Sequence, residues 1–187
     1  MLFRSVVTLE RRVVEQPNRD ARGFISDGHG AVRIMATRNR NDDGYSSNVE
    51  RYYYRTTDSR QWKPLSTVTS LPDGHSEGFE PVAVDRDTNR AIGFEKIDGR
   101  LALVAVSLDG TLTRTTLVRH PDVDVDGLVR IGRSRRVVGA SFATDRRQVE
   151  FFDPELRKLS ASLGRALPNK PIVTFIDASA EIGRAHV

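Results

Sequence analysis

The chain has 187 residues, 38% of them hydrophobic and 29% charged, with a net charge of +4; this composition suits one soluble globular domain and argues against disorder. Cysteine is absent, which excludes disulfides and thiolate metal sites, and no apolar run approaches the roughly 18 residues that would span a membrane. Basic residues are dispersed in short groups at Arg11–Arg12, Arg133–Arg136 and Arg146–Arg147. The one dense aromatic run, Tyr52-Tyr53-Tyr54 between Arg51 and Arg55, is not the interleaved basic stripe that nucleic acid requires, so neither nucleic acid nor membrane is an expected partner.

From the start, "MLFRSVVTLERR" has too short an apolar stretch and no small-residue cleavage site, so it does not read as a signal peptide. Short strands joined by tight turns follow. "GFISDGHGAVRIMAT" places a turn at Asp27-Gly28-His29-Gly30 between two strands. "FEPVAVDRDTNRAIGFE" repeats the pattern around Arg86–Asn89, and "GLVRIGRSRRVVGASFAT" around Arg133–Arg135. Asp98-Gly99 and Asp109-Gly110 each stand between apolar runs, a strong local hairpin signal.

Segments opening at Phe24, Phe79, Leu128 and Ile172 align with one another, about 45–55 residues apart, the period of a four-stranded propeller blade. The second strands are "VRIMAT", "RAIGFE" and "RVVGASF"; the third are "ERYYYRT", "LALVAVS" and "QVEFFD". "QWKPLST" and "TLTRTTLV" are the fourth elements of the first two units. The third departs from the pattern. In "DPELRKLSASLGRAL" the leucines at 156, 159, 163 and 167 keep helical spacing, Asp153 suits an N-cap and Pro154 the first helical position, which predicts a short helix over 154–166 ended by Pro168. The expected fold is all-β: a partial β-propeller of about three and a half four-stranded blades plus that helix.

Candidate chemistry is thin. "GASFA" (139–143) approaches the Gly-x-Ser-x-Gly elbow, but a strand follows Ser141 where the elbow needs a helix, so Ser141 reads as a strand serine. "DVDVDG" (122–127) matches the start of a calcium loop, yet the twelfth position falls on Arg133, where a carboxylate is required; an acidic turn is the simpler reading. His29, His75 and His120 sit in turn contexts without a second histidine at metal spacing. Glu77 and Glu80 flank Phe79 and are compatible with a propeller mouth or with ordinary loop charge. No catalytic, cofactor-binding or metal-binding residue is assigned, and no cofactor is expected.

Taken together, the turn "SDGHG" with "VRIMATR", "GFEPVAVDRDTNRAIGFEKIDGRLALVAVSLDG", "HPDVDVDGLVRIGRSRRVVGASFATDRRQVEFFDPELRKL" and "ALPNKPIVTFIDAS" resemble the N-terminal propeller of bacterial prolyl oligopeptidase-family serine peptidases. The resemblance is diffuse and covers nearly all of residues 13–180. It implies a seven- or eight-bladed propeller that restricts access to oligopeptides, followed by an α/β-hydrolase domain with a Ser-Asp-His triad. None of the family's catalytic residues can be placed on this sequence, so the chain by itself is expected to be inactive. The alternative expectation is a non-enzymatic propeller serving as a protein-binding scaffold. Periplasm and cytoplasm are both compatible with the sequence.

Both ends invite a different explanation. "EIGRAHV" followed by a stop is what GAG-ATC-GGA-AGA-GCA-CAC-GTC-TGA encodes, which, apart from its first base, resembles a common sequencing adapter. "MLFRS" is what GTG-CTC-TTC-CGA-TCT encodes from a GTG start, the reverse complement of the same adapter. Residues 1–5 and 181–187 are therefore expected to be adapter-derived, with residues 6–180 an incomplete propeller domain; His186 then belongs to no site.

Overall fold

The computed structural model describes residues 2–4, 11–38, 47–132, 134–168 and 171–175. Strand β1 (Leu2–Arg4) pairs antiparallel with β2 (Arg11–Val13). Three larger antiparallel sheets then follow in chain order. The first holds β3 (Ala21–Ser26), β4 (Val32–Thr37), β5 (Val49–Tyr54), β6 (Lys63–Ser70) and the short β7 (Ser76–Glu77). The second holds β8 (Glu80–Asp85), β9 (Arg90–Ile97), β10 (Arg100–Ser107) and β11 (Arg114–Val118). The third holds β12 (Val125–Ile131), β13 (Arg136–Ala143) and β14 (Arg147–Phe151), and helix α1 (Pro154–Ala166) follows it. Every strand pairs with its neighbour in sequence, so each sheet is a meander.

The turns are built by residues that hold a reversed backbone at low cost. Asp98 and Gly99 take φ of 50° and 81° between paired Ile97 and Arg100, the left-handed pair that a two-residue hairpin requires. Asp27, Asp73, Asp85 and Asp109 each accept backbone N–H bonds from two to four residues ahead through a carboxylate oxygen, which offers the chain a local alternative to continuing as a strand. Asp153 does the same for α1. Its Oδ1 accepts from the N–H groups of Glu155 and Leu156, Pro154 opens the helix, and Leu167 returns to extended backbone before Pro168.

The sheets stack face to face through shared apolar cores. Ile34, Tyr52, Tyr54 and Leu65 of the first sheet meet Ala91, Val104 and Val106 of the second, with Phe79 and Leu108 sealed between them. The opposite face of the second sheet sends Ala83, Ile92, Leu103 and Val118 against Val125, Val137, Ala140 and Phe142. The outer face of the third sheet, carrying Val129, Ile131, Val138 and Phe151, is covered by Leu156 of α1 and by Phe175. Alternate residues of β10 thus enter different cores, which is why "LALVAVS" is apolar along its whole length.

The all-β class, the three first hairpins and the helix agree with the sequence reading, and α1 spans the expected residues. Three details differ. Leu128 lies inside β12 rather than at its start, because the strand begins at Val125. The first sheet gains β7, formed where the chain crosses from one sheet to the next. The strand expected to open a fourth unit at Ile172 does not form over residues 171–175; Phe175 packs its ring 5.2 Å from that of Phe151 instead. Among the described residues the three sheets form an open stack and not a closed ring.

Candidate functional site

The first hairpins of the three sheets converge at one end of the stack. β3 lies against β8, and β8 against β13. At the tips, Gly28 of the β3–β4 turn lies so close to Ser134 of the β12–β13 turn that a Cβ on residue 28 would stand 2.7 Å from the Ser134 carbonyl oxygen. Gly28 also has φ of 76°, so both space and conformation favour glycine. At the tip of the β8–β9 turn, Asn89 is in left-handed backbone at φ 53°. Its Oδ1 accepts from Arg33 Nη2 at 2.7 Å, and its carbonyl accepts from Leu108 N.

Polar bonds tie neighbouring sheets together at defined points. Arg130 on β12 donates from Nη2 to the Val82 carbonyl on β8, 3.0 Å away. Leu101 N donates to Asp124 Oδ1 at 2.8 Å. Burial, and then the nearby Arg135 guanidinium, lower the Arg130 pKa. These bonds fix register between faces that apolar packing alone would let slide.

Beside the converging turns lies a cleft of about 460 Å³, lined in part by His29, Arg33, Arg55, Thr57 and Arg60. Arg33 is 4% exposed. It rises from β4 and donates from Nε to the Arg55 carbonyl at 3.0 Å. Burial lowers its pKa, and the nearby Asp27 carboxylate opposes that shift. Arg55 follows β5 and forms a two-bond pair with Glu15, Nη1 to Oε2 at 2.5 Å and Nη2 to Oε1 at 3.1 Å. Its guanidinium carbon stands 3.8 Å from the Trp62 ring centroid, a cation–π contact that restrains the head group further.

The residues singled out in the sequence are scattered. Ser141 sits within β13, where its Oγ accepts from Arg147 Nη1 at 3.1 Å and lies over Gly127. The three carboxylates of "DVDVDG" do not converge. Asp124 serves Leu101 N, while Asp126 holds Arg147 through bonds of 2.6 and 2.9 Å. That guanidinium keeps the Asp126 carboxyl below its ordinary range. Asp122 donates its N–H to His120 Nδ1, and the His120 ring stands 4.9 Å from that of Phe142. Arg133 and His186 lie outside the described residues.

His75 and Glu77 are exposed and do not line the cleft. Glu80 is also exposed; its charge, after burial and Glu50, helps push the Tyr52 phenol above its ordinary pKa. Tyr52 and Tyr54 point into the first core, so they offer no stacking face to a nucleobase. Among the described residues no group of three His, Asp or Glu side chains is placed to hold a metal ion, and no helix is long and apolar enough to cross a membrane.

Only His29, of the sequence candidates, borders the cleft. Arg33 was the overlooked residue, and its signal was present: it is the single charge in "VRIMAT", within a strand whose every residue is buried. In comparisons with known proteins, the chain matches no family model, no curated protein and no solved structure.

Proposed function

We propose that this chain is the non-catalytic, substrate-gating part of a prolyl oligopeptidase-like serine peptidase. In this proposal the three sheets are consecutive blades of a larger propeller. Peptide hydrolysis takes place at a Ser-Asp-His triad in an α/β-hydrolase domain outside these 187 residues. The observation that supports it is the serial stack: three sequential meanders, each burying a face on the next, with their first hairpins drawn together at one end. Propellers grow by that kind of repetition, since one blade cannot bury both of its faces alone. The environment of Ser141, a mid-strand hydroxyl bonded to an arginine, agrees with a chain that does no acyl transfer of its own.

A second proposal, a protein-binding scaffold without any peptidase domain, draws on exposed leucines of α1 and of its C-cap, Leu167. Leu159, Leu163 and Leu167 are exposed at helical spacing, and Ile172 is exposed nearby in the sequence, an apolar stripe of the kind that partners cover.

The genomic reading frame distinguishes the two. Further meander units after Ala180, then Gly-x-Ser-x-Gly and a late histidine, are expected for the peptidase. The extended protein should then react with a fluorophosphonate probe, whereas the 187-residue chain should not. A frame that ends or runs into an unrelated domain sinks the peptidase proposal, and probe labelling of this chain that disappears in Ser141→Ala would overturn its inactivity.

A further inference from the structure

We propose that the cleft beside the converging turns binds a small oxyanion, a carboxylate or a phosphate, on the Arg33 guanidinium. Arg33 is an almost wholly buried cation that makes no ion pair among the described residues. Its two hydrogen bonds go to neutral oxygens, the Arg55 carbonyl and Asn89 Oδ1. A buried charge satisfied only by neutral acceptors is costly, and a counter-charge relieves that cost.

Among the described residues Arg33 Nη1 donates to no protein atom, yet the only sealed and unpartnered side-chain nitrogen or oxygen there is Arg38 Nε. The Nη1 group therefore keeps access to solvent, and Arg33 borders the cleft. The Asp27 carboxylate is felt at Arg33 and offsets part of its charge without forming an ion pair; its Oδ1 accepts from His29 N and Ala31 N.

Of the two neighbouring arginines, Arg60 adds to the charge, whereas the charge of Arg55 is offset by Glu15. Arg55 is held by Glu15 and Trp62, so its position is set before any ligand arrives. Exposed Arg60 borders the same cleft and makes no ion pair among the described residues. A cleft of about 460 Å³ has room for phosphate or for the carboxylate end of a short peptide. Planar guanidinium groups suit both, because their paired N–H donors match two oxygens of one anion. Such binding is independent of whether a peptidase domain accompanies the chain.

Calorimetric titration of the 187-residue chain tests the site, using three probes: inorganic phosphate, an N-acetylated tripeptide with a free C-terminal carboxylate, and the same peptide amidated. Saturable binding of phosphate or of the free-acid peptide, with none by the amide, is expected. Arg33→Gln should weaken it about tenfold or more, the worth of one charge-assisted hydrogen bond. Arg60→Ala, at an exposed position, should weaken it several-fold with the fold unchanged by circular dichroism. Phosphate binding alone identifies a phosphate site and free-acid binding alone a peptide-terminus site; either supports the proposal. If Arg33→Gln does not fold, Arg60→Ala decides. Absence of saturable binding by both anions, or unchanged affinity in the folded variants, overturns it.

Discussion

Asp153 performs two tasks at the junction of β14 and α1. It caps the helix through Oδ1, and through Oδ2 it accepts from Arg136 Nη2 at 2.8 Å. Partial burial would raise its pKa, but the Leu156 N–H, Arg136 and the Glu155 N–H together outweigh this and lower it. A carboxylate with a depressed folded-state pKa stabilises the fold fully above its ordinary value of about 3.9 and loses that contribution as pH falls through the folded value. Asp153→Ala should cost about 1 kcal/mol at neutral pH. The difference from the native chain should shrink in acid, as urea midpoints measured from neutral to low pH will show. A gap that widens in acid would contradict this role. Asp126, held by Arg147, shifts in the same direction but stands at the surface, where an ion pair contributes little.

Among the elements, β10 and α1 make opposite demands on their leucines. Leu103 is fully buried in the middle of the stack, whereas Leu163 is 38% exposed on the helix. Leu103→Ala should destabilise by about 2–5 kcal/mol through lost contacts and a residual cavity. Leu163→Ala should fall within about 0.5 kcal/mol of the native chain. Chemical denaturation with unchanged m-values checks both, and equal costs would mean that the helix buries the stripe assigned here to the surface.

The same contrast explains what was legible in the sequence. α1 was readable residue by residue because its start and stop signals, Asp153, Pro154 and Pro168, are local. The hairpins were readable because Asp-Gly pairs and aspartate-capped turns are local too. The missing strand at Ile172 was not, since an apolar run such as "PIVTF" forms a strand only when an edge is there to pair with it. In this structure that run supplies Phe175 to the Phe151 face instead. The Arg33 cleft was hidden for a related reason. It depends on turns from separate sheets meeting at Asn89 and Ser134, and hydrophobic periodicity within one strand carries no information about that meeting.

At the scale of the whole molecule, the proposed function depends on the order in which the sheets stack. The second sheet is buried on both faces, and the tips of the first and third sheets touch across its end. Unrelated hairpins packed in another order would keep the same strands and lose this contact. The absence of native cysteine makes the contact directly measurable with the double variant Gly28→Cys and Ser134→Cys. A cysteine at residue 28 costs about 1–2 kcal/mol for the left-handed backbone. Its Cβ, 2.7 Å from the Ser134 carbonyl oxygen and 3.0 Å from Ser134 Cβ, also obliges the two turns to move slightly apart, toward the roughly 3.5–4.5 Å Cβ separation of a disulfide. Closing a loop of roughly 100 residues returns about 4–5 kcal/mol. Under mild oxidation at low protein concentration, the stacked arrangement predicts an intramolecular disulfide, seen as monomer mass reduced by two hydrogens and as a raised melting temperature. Free thiols or disulfide-linked dimers alone would contradict the stack, and with it the blade-like role proposed for this chain.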